Sequence, residues 1–441
     1  MALGRRPVTT VAAVKLWGRR IGAVSQQDDR DYAAFQYDPD FAASAIEISP
    51  IVMPLANRVY TFPELSRATF RGLPGLLADS LPDKFGNALI DAWLATQGRS
   101  PASFNAVERL CYTGTRGMGA LEFEPATGPE PDESAGVEVA ALVELASRVL
   151  ARQSDMRVSL AAGQRASLTR ILQVGTSAGG ARAKAAIAWN PRTNEVRSGQ
   201  IEAGTGFEYW LLKFDGVRGN RDKELEDPAG YGAIELAYYY MAEAAGISMS
   251  PCRLLEENGR RHFMAKRFDR LDGGGKIHMQ SLGALGHYDY NSAGAYSYEQ
   301  TFAIMRQLGL SMPELEQQFR RMAFNIVARN QDDHVKNIAF LMDKQGRWSL
   351  APAFDVTYSY NPVGLWTAMH QMSMNGKRDA FTLEDFKACA RAVALKRGRA
   401  ETILNEVRAA VARWPELAER ARVSSAQTTQ IQQALRLEIR G

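Results

Sequence analysis

The chain is poor in the residues that build disulfide frameworks and zinc sites: three cysteines and five histidines among 441 residues. Cys111, Cys252 and Cys389 are far apart, odd in number and without a CxxC pair, so reduced thiols are expected, as in a cytosolic protein. The histidines are dispersed, and His334 has no second histidine at i+4, which removes the usual helical zinc spacing. Long apolar runs are missing too. No stretch approaches the roughly 18 apolar residues of a membrane span, and the Met-Ala-Leu-Gly-Arg-Arg start leads into no apolar h-region, so no signal peptide is expected. Nor does one sign of charge dominate. With 53 Lys+Arg against 49 Asp+Glu the net charge is +4, mixed along the chain, unlike the clustered basicity of a dedicated nucleic-acid binder. A GxSxG nucleophile elbow is absent, which argues against a Ser-His-Asp hydrolase.

What remains is the composition of a globular protein, 46% hydrophobic and 23% charged, with room for two or three domains or one large bilobal one. Residues 1–128 read as strand-rich with one clear helix. Val11–Trp17 and Ile21–Val24 flank Gly18-Arg19-Arg20 as a hairpin. Phe85, Leu89, Ile90, Trp93 and Leu94 recur at helical spacing behind Pro82. Residues 125–136, rich in Pro, Gly and acids, are the best linker candidate. A helix follows, with Val139, Leu142, Leu145, Val149 and Leu150 on one face.

From 137 to 270 the order is a small-residue loop ending at Lys184, a strand Tyr209–Phe214, a helix Gly232–Ala245 stopped by Gly246, and a hairpin. The hairpin pairs Cys252–Glu257 with His262–Phe268 around Asn258-Gly259, a type I′ signal. Residues 271–441 turn helical, apart from a second hairpin, Ile338–Met342 with Trp348–Leu350. The tail from Leu383 reads as two or three amphipathic helices. Glycine loop, strand with Lys, helix with Glu, hairpin, helices, then an acidic loop is the order of elements in a kinase.

Chemistry-bearing residues follow that order. In Asn330-Gln-Asp-Asp-His-Val-Lys-Asn337, Asp332 and Asn337 have the spacing of a catalytic Asp and a metal-binding Asn on one loop; Asp333 does not. A capped turn would use the same residue types. Asp355, in Ala-Phe-Asp beyond the second hairpin, is placed as a second metal-binding carboxylate, although Val356 stands where the common motif has Gly. Lys213 lies in an apolar strand and must reach solvent, a carboxylate or a phosphate; in a kinase it would pair with a helix Glu, for which Glu235 is the natural partner, while a lysine snorkelling from a strand edge is the commoner alternative. Gly179 and Gly180 let backbone N–H groups approach phosphate, but the loop matches neither GxxxxGK[ST] nor GxGxxG, and on these rules a surface turn is the default reading. Gly114-Thr-Arg-Gly-Met-Gly119 reads as a tight structural turn.

Four segments, in this order, resemble the HipA family: Gly72-Leu-Pro-Gly-Leu-Leu-Ala-Asp-Ser-Leu-Pro-Asp83, Ser177-x-x-Gly-x-x-x-Lys184, Lys266-Arg-Phe-Asp-Arg270, and Asp332-x-His-x-Lys-Asn337 with Phe354-Asp355. The resemblance implies an α+β, bilobal protein-kinase-like fold with an N-terminal β-rich subdomain and an all-α C-terminal lobe. It implies an ATP- and Mg²⁺-dependent serine/threonine protein kinase, the toxin of a toxin–antitoxin pair. By that resemblance Asp332 is the proton acceptor, and Asn337 and Asp355 hold Mg²⁺. Gly179, Gly180, Ala181, Lys184, Lys213, His334 and Lys336 surround the phosphates, and Lys266, Arg267 and Phe268 meet the adenine. Ser177, with Thr176 beside it, is the expected autophosphorylation site that silences the enzyme. The implied partners are a HipB-like helix-turn-helix antitoxin, which carries the DNA contact, and a substrate from translation, typically an aminoacyl-tRNA synthetase. Ser281 and Lys266 stand where acidic residues are common in the family. Two other readings stay open: a pseudokinase acting as an antitoxin-binding corepressor, and a metal-dependent hydrolase centred on Asp332, Asp333 and His334.

Overall fold

A computed structural model describes residues 8–82, 84–128, 138–151, 182–217, 221–222, 225–226, 230–271 and 274–440. The loop carrying Thr176, Ser177, Gly179, Gly180 and Ala181 therefore lies outside the described residues, as do Asp83 and most of the expected linker.

Alternation builds the first sheet. In β1 (Thr9–Leu16), Ala12, Val14 and Leu16 are buried while the residues between them are more exposed, the period-2 pattern of a strand with one face on a core. β1 joins β2 (Arg19–Gln27), β3 (Ala34–Tyr37), β4 (Val59–Thr61) and β5 (Leu121–Glu124) in the order β4-β3-β2-β1-β5. The β1–β2 turn falls on Trp17-Gly18, one residue earlier than expected. Both residues have positive φ, 51° and 78°, and Leu16 pairs with Arg19. A two-residue hairpin turn needs that pair of conformations, and a glycine at the second position supplies one without strain.

The second sheet runs β11-β12-β8-β6-β7, from β6 (Lys184–Trp189), β7 (Val196–Ser198), β8 (Glu208–Lys213), β11 (Cys252–Glu257) and β12 (Arg260–Lys266). A two-residue pair, β9 (Arg221–Asp222) with β10 (Leu225–Glu226), stands apart. The β11–β12 turn is Asn258-Gly259, with φ of 48° and 76°, as the dipeptide predicted. The Lys84–Thr96 helix, although early in the chain, packs in the core of this second sheet. Phe85, Leu89, Ile90 and Leu94 share it with Val139, Leu142, Val143, Ile187, Leu212 and Met264.

The C-terminal lobe is helical around a large core, and its helices at 298–307, 312–327 and 383–392 each begin with a capping box. It also carries a small sheet. The expected hairpin, β14 (Ala339–Met342) with β15 (Trp348–Leu350), gains a third strand, β13 (His278–Ser281). That four-residue strand is too short for its alternation to announce it, and its partner lies some sixty residues on. The tail forms four helices, Leu383–Ala392, Arg399–Val411, Trp414–Arg420 and Ser425–Ala434. Gly398 (φ 83°) and Pro415 at a helix start divide what pattern alone would merge.

The lobes interlock. Met342 is buried in the N-terminal core, and Trp348 donates its indole N–H to Glu47 O at 3.2 Å. The Gly114–Gly119 turn is structural, as read: Gly119 N–H donates to Asp269 at 2.8 Å, and Arg270 donates to the carbonyls of Gly117 and Gly119, each at 3.0 Å.

Candidate active site

β8 and β6 bring the cationic groups together. Lys213 and Lys184 are direct cross-strand partners in the antiparallel pair, so both side chains project from the same face. Arg182, two residues before Lys184, reaches the same place: its guanidinium stacks 3.6 Å above the Tyr231 ring and lies 3.8 Å from Glu235 Oε2. The Tyr231–Ala244 helix holds Glu235 almost fully buried against this face. Lys213 Nζ donates to Glu235 Oε1 at 2.5 Å and also to Asp355 Oδ1. One buried lysine thus joins the sheet, the helix and the loop after β15.

Burial alone would favour the neutral forms of these groups, but their partners outweigh it. Asp355 and Glu235 together hold the Lys213 ammonium above the ordinary lysine range. Lys213, Lys184 and Arg182 hold the Asp355 carboxyl well below the ordinary carboxylate range. Three cations face two carboxylates here, an arrangement that suits a polyanion such as a nucleotide phosphate chain. Asp355 has φ 53°, a left-handed conformation that Asp tolerates better than most residues. Val356 at the next position is therefore compatible with the turn.

The segment from Asn330 to Asn337 separates its two aspartates sharply. Asp333 turns inward, where its carboxylate accepts from Tyr298 OH at 2.6 Å and from Gln371 N–H at 2.7 Å, and contacts His370 Nδ1 at 2.9 Å. Burial works against its charge, but these partners keep it ionised below the usual range. Asp333 is thus committed to holding the loop. Asp332 is half-exposed; its Oδ1 accepts from the Trp366 indole N–H at 2.8 Å and lies 3.9 Å from His334 Nε2. Asp332 thus keeps a partly exposed carboxylate where Asp333 does not, and among the described residues Asp332, Asp333 and His334 form no group that could hold a metal ion.

Asn337 donates its side-chain N–H to the backbone O of Asp332 at 2.9 Å. That bond commits the amide N–H₂ and leaves the carbonyl Oδ1 as the acceptor end of a residue that lines a cavity together with Asp333, His334, Phe354 and Asp355. A carboxylate and an amide carbonyl are hard oxygen donors of the kind Mg²⁺ takes, so these two residues fit the ion. Lys336 Nζ lies 5.3 Å from the centroid of the Tyr290 ring, and His334 packs 5.6 Å from the same ring.

The expected adenine side is arranged differently from residue to residue. The Lys266 ammonium pairs with Glu208 at 3.2 Å. The Arg267 side chain is buried and forks onto Asp269, at 2.9 and 2.7 Å. Phe268 packs on Phe354, with ring centroids 5.7 Å apart, which ties the end of β12 to the residue before Asp355. Phe268 thus meets a residue that lines the cavity, Lys266 is paired with Glu208, and the Arg267 side chain serves the Asp269 ion cluster.

Three residues escaped the sequence reading. Arg182 had a signal, its i−2 position on the face of Lys184. Trp366 had none, because its role depends on a loop folding back thirty-four residues to Asp332. Asp79 lies in a recognised segment, but its partners, Ser281 N–H at 2.6 Å and Ser281 Oγ–H at 2.8 Å, are two hundred residues away.

Residues 176–414 match the HipA-like C-terminal domain, and residues 12–124 match the HipA N-terminal domain. A curated relative from Sinorhizobium fredii, named "Putative kinase Y4mE", is 29% identical over 125 residues; the match spans 26% of this chain and 30% of the relative's length. Among solved structures, HipA from the Shewanella oneidensis HipA, HipB and operator DNA complex superposes with a TM-score of 0.65 at 17% identity, covering 96% of this chain and 94% of that one. That likeness establishes the fold.

Proposed function

The chain belongs to the HipA family, and on that premise we propose that it is an ATP-dependent serine/threonine protein kinase acting as the toxin of a HipA/HipB-type module. The observation that carries the proposal is the Lys213 ammonium. It bridges Glu235 and Asp355 beside a cavity that Asn337 also lines, with the accessible carboxylate of Asp332 on the same loop.

In this reading Lys213, Lys184 and Arg182 bind and orient the ATP phosphates. Asp332 accepts the proton of an incoming serine or threonine hydroxyl as its oxygen attacks the γ-phosphorus. The bond to the bridging oxygen breaks, and ADP leaves with that electron pair. Asn337 and Asp355 would hold Mg²⁺, which when bound would supply positive charge to offset that on the phosphate oxygens. Trp366 keeps Asp332 in one rotamer, and the buried Asp333 keeps the loop in place. The target we propose is a protein of translation, an aminoacyl-tRNA synthetase being the family's usual one. The partner is a HipB-like antitoxin that makes the DNA contact, and Ser177 is the inactivating autophosphorylation site. No helix among the described residues is long and apolar enough to cross a membrane; we place the protein in the cytoplasm.

The test uses the full-length protein with γ-labelled ATP and Mg²⁺. Label is expected on the protein itself and on proteins of a lysate, with phosphate at Ser177 or Thr176 by mass spectrometry. Asp332→Asn should lower transfer by about 10²-fold or more and leave the thermal midpoint unchanged. Absence of both kinds of label in the wild type, or full transfer by Asp332→Asn, would refute the assignment.

A further inference from the structure

From Val356 to Gln371 the chain carries no Asp, Glu, Lys or Arg, sixteen residues in a protein that is 23% charged. Within this stretch, the loop Asn361–Met369 presents three large apolar side chains to solvent: Val363 at 89%, Leu365 at 100% and Met369 at 45% exposure. Scattered single exposed hydrophobics need no explanation, but three within seven residues of one loop do.

The loop is also tied down. Gly364 N–H donates to Asn361 O at 3.1 Å, and Val363 N–H to Asn361 Oδ1 at 3.2 Å. Gln331 donates to Thr367 O at 3.1 Å, and Gln371 donates to Trp366 O and Met369 O at 2.5 and 3.2 Å. Gln331 immediately precedes Asp332, and Gln371 N–H also donates to Asp333. The same network that holds the catalytic loop therefore holds the apolar loop. Trp366, next to Leu365, completes the connection through its 2.8 Å hydrogen bond to Asp332.

We propose that the Val363, Leu365 and Met369 side chains form a preformed docking lip for an apolar side chain of the protein substrate, flanking the serine or threonine that is phosphorylated. The inference rests on the kinase reading and deepens it. A hydroxyl delivered to Asp332 arrives on a polypeptide, and that polypeptide must pass Trp366 to reach the carboxylate. Leu365 is the next residue outward. An uncharged, apolar lip gives nothing to a phosphate or to a charged neighbour, so it selects against nucleic acid and against acidic or basic flanks. It gains from burying Leu365, which is fully exposed in the free protein. Anchoring the lip to the catalytic loop keeps the ordering cost of docking low.

The experiment compares full-length wild type with Leu365→Asp and Val363→Asp. Val59→Asp, at an apolar side chain 56% exposed in the N-terminal sheet, is the control. The probes are a peptide set and a cell lysate, with γ-labelled ATP and Mg²⁺. Each peptide carries one Ser or Thr in a Gly-Ala background, and one flanking position is varied through Leu, Ala, Asp and Lys. We expect wild type to favour Leu over Asp at one flanking position by about tenfold, the worth of one apolar contact. Leu365→Asp and Val363→Asp should lose that preference and label lysate proteins about tenfold less, through KM, with the KM for ATP unchanged. Val59→Asp should match wild type.

Indifference of wild type to the flanking residue would overturn the proposal. So would undiminished transfer by Leu365→Asp to peptides, or to lysate proteins where no peptide is accepted. An altered oligomeric state in Leu365→Asp with transfer intact would assign the lip to a second copy of the chain instead. A wild type that labels neither peptide nor lysate protein fails at the earlier step and refutes the kinase reading itself, which separates the two failures.

Discussion

The two sides of the cleft are held by opposite means. The proposed phosphate side is ionic: Lys213, Lys184, Arg182, Glu235 and Asp355 meet around one largely buried ammonium. The proposed acceptor side is neutral or singly charged at each contact. Trp366 meets Asp332 there, and the N-terminal subdomain closes on the residues beneath the catalytic loop through Asp79 on Ser281 and through Gly75 N–H on His287 Nε2 at 3.0 Å. Ser281 in turn caps the short Leu282–Gly286 helix, and Leu282 N–H donates to Ile338 O at 2.8 Å, one residue past Asn337. Charge density is useful where a polyanion must be gripped. Neutral hydrogen bonds suit the side where a polypeptide must come and go.

Breaking the ionic side should have the largest effect. Lys213→Met removes the cation that both Glu235 and Asp355 contact directly, leaving only the more distant Arg182 and Lys184 beside them. It should lower phosphotransfer about 10²–10³-fold and stability by about 3 kcal/mol, checked by initial rates and urea denaturation. Breaking the acceptor-side latch should cost less and show differently. Asp79→Ala removes a positioning residue that touches no nucleotide, so kcat should fall about tenfold with the KM for ATP unchanged, and Asp79→Asn should recover part of the loss. A rise in the KM for ATP in Asp79→Ala would place its action on the other side of the cleft.

pH sharpens the contrast with the smallest effect. Asp355 is depressed and Lys213 raised. The stability from their pair is therefore complete between roughly pH 5 and pH 9, lost only as pH falls through the low Asp355 value or rises through the high Lys213 value. The neutral side contains His287, lowered to about 4 by burial, and His278, lowered to about 3 for the same reason. In the unfolded chain both titrate near about 6.5. The unfolded state thus binds more protons below that pH, and stability declines as pH falls from about 6.5 toward 4. Urea midpoints across that range should show the decline. His278→Leu should flatten part of it, and Lys213→Met should leave the slope unchanged.

How much of this was legible in sequence varied with the distance between partners. The Asn258-Gly259 hairpin rests on a short spacing and the Lys213–Glu235 pair on the order of elements, and the structure has both. The start of the β1–β2 turn was off by one because positive φ at a tryptophan leaves little trace in sequence. Strand β13 was missed because four residues offer too little periodicity. Arg267, in a recognised segment, directs its side chain to Asp269, since a guanidinium finds its buried carboxylate wherever folding puts one.

By itself the sequence determined the local grammar: which stretches alternate, which repeat every three to four residues, and which short spacings put a carboxylate, an amide and a lysine into the order that phosphoryl transfer needs. Only the tertiary structure decided that Asp333 is spent on Tyr298 and His370. It likewise decided that Asp79 braces Ser281, and that an uncharged loop lies against Asp332 with Leu365 in water. The reason is physical. Spacing within a loop or helix is set by bond geometry, whereas a contact across thirty or two hundred residues exists only after cores from separate parts of the chain have closed on one another.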